Sequence, residues 1–391
     1  MATIVFFCIP AHGHTNPTLG VVRALIARGH RVIYYSYDEF REKIEGAGAE
    51  FVSCNGHDAQ LNLTKEEGAK IGSDLALSTR VLVDTTLSLD GPVCQEMERL
   101  QPDCIVADSM AVWGKAVAKK LGIPFVCSMT TFAFNRESAK IMPHSLKETL
   151  CMLASMGKVN RQVKRLQDRG YPVKSVLDLI GCDETVPNVV YTSPLFQPCS
   201  DSFPPHFAFV GPSIRPAETA VEKTREKLVY ISMGTVNNEM LPLYRACIDA
   251  LQDTSWQVIV SVGSGISISE LGILPENIAV YPTVDQIAVL QKADAFLSHC
   301  GMNSASEALY FGVPLVMFPQ TSEQRGVAAR CAQLGAGVFL KKPRAADIRA
   351  AVETVLQSPS FRENARTIGD SFRACGGAEK AAEQILLAMD K

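Results

Sequence analysis

The first sixty residues alternate between continuous apolar segments and a segment whose apolar residues recur at helical spacing. Residues 4–10 are almost entirely apolar, which is typical of a parallel β-strand buried on both faces. Asn16 followed by Pro17 predicts a helix start, because asparagine caps helices well and proline fits the first helical position. Gly29 predicts the end of that helix, and residues 31–36 form the next strand. The pattern therefore predicts a β-α-β unit.

The same alternation continues through the first third of the chain and restarts near residue 228. Before residue 134, this alternation predicts strands at 103–107 and 125–129, with a helix between them that ends near Leu121. After the restart, the predicted strands are 228–233, 257–262, 278–281, 295–298 and 314–318. Strands that alternate with helices in this way form doubly wound parallel sheets. We therefore predict an α/β protein with two Rossmann-like halves, which bind ligands at the carboxyl ends of their strands.

Domain boundaries follow from length and from two unusual segments, since 391 residues are too many for one ordinary core. Residues 134–183 predict helices without a strong strand, either as one wall of a pocket or as a surface excursion without a ligand role. Residues 211–227 combine proline, glycine and charge, as interdomain linkers do. We expect an N-terminal domain at 1–210, a C-terminal domain at 228–370, and a helical segment at 371–391 that returns to the N-terminal domain.

Composition limits the partners and the compartment. A net charge of −3 argues against nucleic acid or an anionic membrane as the main partner. No apolar stretch reaches the roughly 18 residues of a membrane-spanning helix. The N-terminal apolar run is short and lacks a basic region, so it does not resemble a signal peptide. Twelve scattered cysteines without a Cys-x-x-Cys pair then predict buried free thiols and a cytoplasmic protein.

Two predicted strand ends carry candidate acid–base groups. His14 follows the first strand, and its ordinary pKa near 6.5 suits a general base at neutral pH. The alternative is a loop histidine that only donates to a neighbouring carbonyl. Asp108 ends the strand that begins at Asp103, where it fits either a helix N-cap or a hydrogen-bond partner of His14. The second role requires the two strands to be neighbours, and it would fix the histidine tautomer and stabilise the imidazolium.

A third strand end, within residues 296–314, predicts a strand, a turn of small residues and a helix closed by Gly312 and Pro314. Such a turn exposes backbone N–H groups at the positive end of a helix, which favours a diphosphate. Glu307 follows Ser304 at the spacing of a capping box, so a structural and a ligand-binding role both stay open.

These residues resemble the donor signature of the UDP-glycosyltransferases. The signature comprises His299-Cys-Gly-Met-Asn303-Ser304 through Glu307, Gly312-Val-Pro314 and Pro319-Gln-x-x-Glu323-Gln324. Three further segments resemble the bacterial macrolide and secondary-metabolite enzymes, namely Ala11-His-Gly-His14-Thr-Asn-Pro17, Ala107-Asp108 and Ile231-Ser232-Met-Gly234-Thr235. The likeness covers nearly the whole chain and is weakest at 134–183. It implies the GT-B fold, in which two Rossmann-like domains face each other across a cleft.

The resemblance also implies a role for each matching residue. His14 is the implied catalytic base, and Asp108 is its partner. The implied diphosphate contacts are His299, Gly301, Asn303 and Ser304, with Ser232, Gly234 and Thr235 on a second loop. Glu307 would bind the ribose hydroxyls. Glu323 and Gln324 would bind the donor sugar, and Gln286, preceded by Thr283 and Val284, would bind the base.

Two positions depart from the family. Thr283 stands where members often have a tryptophan that stacks on uracil, and Asp285 stands where a proline is usual. Contacts to the base must therefore differ, and the choice between uridine and thymidine donors stays open.

The resemblance implies an inverting transfer of a sugar, expected to be glucose, from a UDP-sugar to a hydroxyl of a small apolar acceptor. Macrolides, flavonoids and other phenols are the expected acceptors. No Asp-x-Asp pair occurs in the chain, so we expect no metal and no cofactor beyond the UDP-sugar co-substrate. The alternatives are a nucleotide-sugar epimerase of the same fold and a non-catalytic nucleotide-sugar binder. A nicotinamide dehydrogenase is disfavoured, since the first loop lacks Gly-x-Gly-x-x-Gly.

Overall fold

The computed structural model describes residues 1–55, 67, 74–140, 146–180, 185–235 and 238–389. The chain forms two compact units. The first contains Met1–Ser213 together with Cys375–Lys391, and the second contains Ile214–Ala374.

The described residues of the first unit form a seven-stranded parallel sheet in the order β3-β2-β1-β4-β5-β6-β7. Its strands are β1 (Thr3–Phe7), β2 (Arg31–Ser36), β3 (Glu50–Ser53), β4 (Cys104–Asp108), β5 (Phe125–Met129), β6 (Asn188–Val190) and β7 (Phe207–Phe209). Its described α-helices before residue 213 are α1 (His12–Ala27), α2 (Arg41–Glu45), α3 (Leu75–Leu100), α4 (Val112–Leu121), α5 (Arg136–Lys140), α6 (Leu146–Gln167) and α7 (Val176–Ile180). The predicted strands β1, β2, β4 and β5 are confirmed, whereas the short strands β3, β6 and β7 were not predicted.

Strand β1 shows why this sheet reads as a continuous apolar run. Ile4 and Phe6 belong to one core, while Val5 and Phe7 belong to the core on the opposite face. Helix α1 covers the first face, and helices α3 and α4 cover the second. Because successive side chains of a strand point to opposite faces, a strand covered on both sides needs apolar residues at every position.

The predicted start of α1 was wrong. The helix begins at His12 with Ala11 as its N-cap, so Asn16 and Pro17 lie inside it. Pro17 is the sixth residue of this helix and supplies no N–H to its hydrogen-bond ladder, which is tolerated best near a helix start. His14 consequently lies in the first helical turn and not in a loop.

The end of α1 was predicted correctly. Gly29 follows the C-cap residue Arg28 and has a φ of +82°, a left-handed conformation that glycine adopts without strain. Within the described part of 134–183, the chain forms α5, α6 and α7 and no strand, as expected.

The described residues of the second unit form a six-stranded parallel sheet in the order β10-β9-β8-β11-β12-β13. Its strands are β8 (Leu228–Ser232), β9 (Gln257–Ser261), β10 (Ile278–Tyr281), β11 (Ala295–Ser298), β12 (Leu315–Met317) and β13 (Gly337–Phe339). Its described helices are α8 (Leu241–Leu251), α9 (Gln286–Leu290), α10 (Met302–Tyr310), α11 (Ser322–Gln333), α12 (Ala345–Gln357) and α13 (Pro359–Ala374). All five predicted strands of this half are confirmed, and the edge strand β13 was not predicted.

The last described helix, α14 (Gly377–Met389), belongs to the first unit. It begins at a bend in which Gly376 and Gly377 have φ values of +94° and +60°. Ala381 and Ile385 are buried in the core that α1 also lines. The segment predicted as helical at 371–391 thus contains the end of α13 and all of α14, separated where glycine permits the turn.

No cysteine that the structure describes forms a disulfide, as the sequence predicted, but Cys151 and Cys199 are exposed, so the predicted burial is wrong for these two. In the described parts of the chain, no helix combines the length and the apolar character needed to cross a bilayer.

Candidate active site

The pairing of β1 with β4 brings two polar side chains together in the first unit. The strands are parallel neighbours, with Phe7 opposite Ala107, so the residues that follow them lie at the same edge of the sheet. Nδ1 of His14 lies 2.7 Å from Oδ2 of Asp108. The Asp108 side chain is 1% exposed and that of His14 is 17% exposed, so the histidine covers the carboxylate and still reaches solvent.

Asp108 is not the N-cap of a helix. Helix α4 begins at Val112, with Ala111 as the N-cap, and Oδ1 of Asp108 accepts from the Met110 backbone N–H at 2.9 Å. One carboxylate oxygen is therefore anchored by the turn, and the other is directed at His14. This removes the structural alternative that the sequence left open.

The hydrogen bond determines which histidine nitrogen can accept a proton. An ionised carboxylate only accepts hydrogen bonds, so the network assigns the imidazole proton to Nδ1. Nε2 of His14 then carries the lone pair. A positive charge on the ring would be stabilised by the buried carboxylate beside it.

Thr130 is a third member of this group that sequence reasoning missed. It follows β5, the neighbour of β4, and it is 2% exposed. Its Oγ1 lies 3.0 Å from Nδ1 of His14. The available signal was its position, since a polar residue directly after a buried strand lies at the edge where the other two residues lie.

His12 is engaged elsewhere. Its Nδ1 lies 3.3 Å from Nζ of Lys43, and its ring packs edge-on against Phe40 at 5.0 Å. Burial and the neighbouring Lys43 charge lower the pKa of His12 below its ordinary value. Of the two histidines in this turn, His14 is therefore the one paired with a buried acid.

In the second unit, His299 lies between two glycines. A Cβ atom on Gly234 would lie 2.5 Å from Cε1 of His299, and a Cβ on Gly301 would lie 2.6 Å from Nε2. Contacts this short do not occur, so both positions need glycine for the ring to occupy its place. Gly234 also has a φ of +80°, which disfavours any other residue.

The His299 ring is neutral and incompletely bonded. Burial lowers the pKa of His299 to about 4. Its Nδ1 is buried and has no hydrogen-bond partner among the described residues. Buried polar atoms normally have a partner, so an unpaired one is consistent with a ligand that completes the site.

Helix α10 begins directly after this histidine, with Gly301 as its N-cap. No side chain of the described residues caps it, so its positive end is available to an anion. The helix start excludes the predicted capping box, because Ser304 is the third helical residue and Glu307 lies in the second turn. That alternative for Glu307 was wrong; the N-cap lies three residues before Ser304.

Glu307 instead contacts Gln286. Nε2 of Gln286 donates to Oε2 of Glu307 at 2.6 Å and lies 3.4 Å from Oγ of Ser304. The Tyr230 hydroxyl donates to Oε1 of Gln286 at 3.2 Å, which fixes the orientation of the amide. Burial raises the pKa of Glu307, and the hydrogen bond from Gln286 opposes that rise.

A capping box does occur, but at the start of α11. Thr321 is the N-cap, its Oγ1 accepts from the Gln324 backbone N–H, and Oε1 of Gln324 accepts from the Thr321 N–H at 3.1 Å. The Gln320 N–H donates to the same oxygen at 2.8 Å. The amide oxygen of Gln324 is therefore occupied, which leaves its NH₂ group as the donor for any ligand. Glu323 lies beside it in the first helical turn.

The loop after β8 approaches the same edge of the sheet, because Ser232 lies opposite Ser298 of β11. Oγ of Ser232 accepts from the Gly234 N–H at 3.3 Å. Nδ2 of Asn238 donates to the Gly234 carbonyl at 2.9 Å, which holds the loop against His299. Thr235 follows in this loop.

Thr283 and Val284 lie between β10 and α9, exposed and half-buried respectively. The next residue, Asp285, binds Arg215 with 2.5 Å between Oδ1 and Nη2. This pair attaches part of the predicted linker to the second unit.

The structure thus forms two groups of the residues that the sequence singled out. In the first unit it pairs His14 with Asp108. At the carboxyl edge of the second sheet lie Ser232, Gly234, Thr235, Thr283, Val284, Gln286, His299, Gly301, Asn303, Ser304, Glu307, Glu323 and Gln324.

Comparison with known proteins agrees with these features. Residues 210–372 match the family model described as "UDP-glucoronosyl and UDP-glucosyl transferase". The chain is 32% identical over 405 residues to the uncharacterized UDP-glucosyltransferase YojK of Bacillus subtilis (strain 168), covering 100% of this chain and 98% of that relative. It is 33% identical to the NDP-glycosyltransferase YjiC of the same organism, covering 98% of this chain and 96% of the relative.

A solved structure, of the glycotransferase of kitacinnamycin, superimposes with a TM-score of 0.84 at 26% identity, covering 99% of this chain and 98% of the other. The two parallel-sheet units and these likenesses define a glycosyltransferase of the GT-B fold. The chain belongs to the UDP-glucuronosyl and UDP-glucosyl transferase family.

Proposed function

We propose that this glycosyltransferase moves glucose from UDP-glucose to a hydroxyl of a small apolar natural product, with inversion at the anomeric carbon. The observation that carries the proposal is the buried Asp108 carboxylate hydrogen-bonded to Nδ1 of His14, which leaves Nε2 as a base. Such a base contributes about 10²–10⁴ to the rate of a proton-transfer reaction.

In the proposed reaction, Nε2 of His14 removes the acceptor hydroxyl proton as the oxygen attacks C1 of the sugar. The bond from C1 to the β-phosphate oxygen breaks, and UDP leaves with the bonding electrons. Attack opposite the leaving group converts an α-linked donor into a β-linked product. Asp108 stabilises the imidazolium that forms, and Thr130 helps to hold the ring.

The second unit supplies the proposed donor site. His299, the uncapped start of α10 at Asn303 and Ser304, and the Ser232–Thr235 loop would bind the diphosphate. Glu307 would accept from the ribose hydroxyls, held in place by Gln286. Gln324 would donate its NH₂ group to the sugar beside Glu323, and Thr283 and Val284 would border the base.

The donor and acceptor classes rest on likeness. The names of the two Bacillus relatives support a nucleotide sugar, and one of them names UDP-glucose chemistry. The kitacinnamycin enzyme supports a natural-product acceptor, which the first unit would bind. We further propose that the reaction takes place in the cytoplasm and needs no metal, so a chelator should leave the rate unchanged.

The test is incubation with UDP-glucose and a panel of macrolides, flavonoids and simple phenols, followed by mass spectrometry. The expected product is the acceptor with one added hexose, absent with His14→Ala. Conversion of the donor sugar without an acceptor would instead indicate an epimerase. Tight UDP-glucose binding with no turnover on any acceptor would indicate a binding protein.

A further inference from the structure

Arg215 is fixed beside the proposed donor site by three contacts within the second unit. Nη2 lies 2.5 Å from Oδ1 of Asp285, and Nη1 donates to the Pro216 carbonyl at 2.9 Å. A third, longer contact of 3.6 Å joins Nη1 to Oε1 of Glu218. The Asp285 side chain is 6% exposed, so a buried acid holds one edge of the guanidinium group.

The anchoring acid is itself firmly held. Burial alone would raise the pKa of Asp285, but hydrogen bonds from Arg215 and from the Thr219 and Glu218 backbone N–H groups lower it to about 2. Asp285 is therefore charged at every physiological pH. An ion pair of this kind fixes the plane of an arginine more firmly than a solvated contact does.

The contacts leave part of the guanidinium group unused. The Arg215 side chain is 38% exposed, and its Nε–H has no hydrogen-bond partner in the described part of the chain. A planar, charged group held along one edge and open to solvent elsewhere can stack on a nucleobase, because every base has a π-face.

The position of Arg215 relates it to the nucleoside. Arg215 binds Asp285, and its charge also lowers the pKa of Glu307, the proposed ribose-binding carboxylate. Asp285, its anchor, directly precedes Gln286, which contacts Glu307. The neighbouring Thr283 has no ring to offer a base.

We propose that Arg215 contacts the nucleobase of the donor, with its guanidinium plane stacked on the pyrimidine ring. This proposal rests on the function proposed above, in that it requires a nucleoside diphosphate bound to the second unit. It assigns to a linker residue the base contact that Thr283 cannot make.

Tyr281 is the competing candidate. It ends β10, two residues before Thr283, and its side chain is 46% exposed. Its aromatic ring could stack on a base if the base extended toward this edge strand. A Tyr281→Ala variant therefore belongs in the test.

The experiment measures the affinity of UDP and of inorganic pyrophosphate, which has no base, for purified full-length variants. Arg215→Met removes the charged plane. Lys223→Met is the matched control, because Nζ of Lys223 lies 2.5 Å from Oδ2 of Asp294 and forms a second linker ion pair. Arg215→Lys retains a charge for Asp285 without a plane, and thermal melting checks that each variant is folded.

We expect Arg215→Met to weaken UDP binding about tenfold or more, the usual effect of losing one stacking contact to a base. Pyrophosphate affinity should change by less than about twofold, because stacking does not involve the diphosphate. Arg215→Lys should lose most of the UDP affinity, whereas Lys223→Met and Tyr281→Ala should keep it.

Equal losses of UDP and pyrophosphate affinity would assign Arg215 to the linker alone and overturn the proposal. Full UDP affinity in Arg215→Met or Arg215→Lys would also overturn it. A loss of UDP affinity in Tyr281→Ala larger than that in Arg215→Met would do the same. If the wild-type protein binds no UDP, the proposed function fails first. Binding of UDP by all variants alike leaves that function intact and rejects only the role of Arg215.

Discussion

The amide of Gln286 donates to the carboxylate of Glu307 at 2.6 Å, which joins two residues that the sequence assigned to different parts of the donor. The Tyr230 hydroxyl holds the other end of that amide. Gln286 therefore acts first on Glu307, by directing its carboxylate and favouring its charged form against the cost of burial. The charge of Glu307 is maintained at the expense of stability.

Glu307→Gln should stabilise the fold and weaken donor binding. Because the pKa of Glu307 is raised in the folded state, this carboxyl costs stability as the pH rises from its unfolded-state pKa to its folded-state pKa, and the cost is complete above the latter. A glutamine keeps an acceptor for Gln286 without a charge. We expect the melting temperature of the variant at pH 8 to be higher than that of the wild type.

The gain should shrink as the pH falls through the raised pKa, because the wild-type carboxyl then becomes neutral as well. UDP affinity, measured by calorimetry, should fall at all pH values. An unchanged melting temperature together with unchanged UDP affinity would contradict both parts of this account.

His14→Ala and Asp108→Asn should slow transfer strongly and spare donor binding. The loss in kcat expected for the proposed base is about 10²–10⁴. UDP affinity should stay within about twofold, because ligand contacts to the donor come from the second unit in this proposal. Steady-state kinetics and calorimetry on the same preparations separate the two effects. A parallel loss of UDP affinity would show that the pair is structural.

Thr130→Val should reduce kcat less than His14→Ala does. The variant loses the hydroxyl oxygen that accepts from the Nδ1–H together with Asp108, a contact worth about 1 kcal/mol, so a decrease of roughly fivefold is expected. Thr130→Ser keeps the hydroxyl and should restore the rate. The pH dependence of kcat should also shift in Thr130→Val, because the group contacts the titrating ring. Equal rates for both variants would exclude a positioning role for the hydroxyl.

Gly301→Ala should displace His299 with little effect on folding. Gly301 has a φ of −59°, which alanine adopts readily, but its Cβ would lie 2.6 Å from Nε2 of His299. UDP binding should weaken while the melting temperature stays close to that of the wild type. Gly234→Ala should lower both, since its φ of +80° adds about 1–2 kcal/mol of backbone strain.

Gly157→Ala is the matched control, because a Cβ at this exposed position in α6 meets nothing within 4 Å. It should preserve UDP affinity and, through the better helix propensity of alanine, the stability. Normal UDP affinity in Gly301→Ala would mean that the displaced ring has no part in donor binding.

His299 should make the protein less stable in acid. Its pKa is about 4 in the folded state against about 6.5 ordinarily, so the unfolded chain binds a proton first as the pH falls. Stability is thus fully present above about pH 6.5 and is lost progressively down to about pH 4. His299→Gln should show a smaller loss of urea resistance between pH 7.5 and pH 5. Identical losses of urea resistance in the wild type and in His299→Gln would show that another group titrates in this range.

The sequence by itself determined the class of fold and the residue types of the site. Strands such as β1 and β11 are buried on both faces, so their apolar runs predict a strand even when the neighbouring strands are unknown. The signature from His299 to Gln324 occupies one continuous stretch, so it can be recognised from the sequence alone. Short edge strands such as β13 were not predicted, because few of their residues are buried and their apolar pattern is weak.

Only the tertiary structure decided which of these residues act together. His14 and Asp108 are 94 residues apart, and Arg215 and Asp285 are 70 apart, so no local pattern links either pair. The same holds for Thr130, which reaches His14 only because β5 lies beside β4. The start of α1 also departs from local capping preference, since the helix begins after Ala11, a poor capping residue, although Asn16 is a better one. Helix and strand propensities depend on residues that are close in the sequence. The site depends on contacts between distant residues, which form only when the sheets assemble.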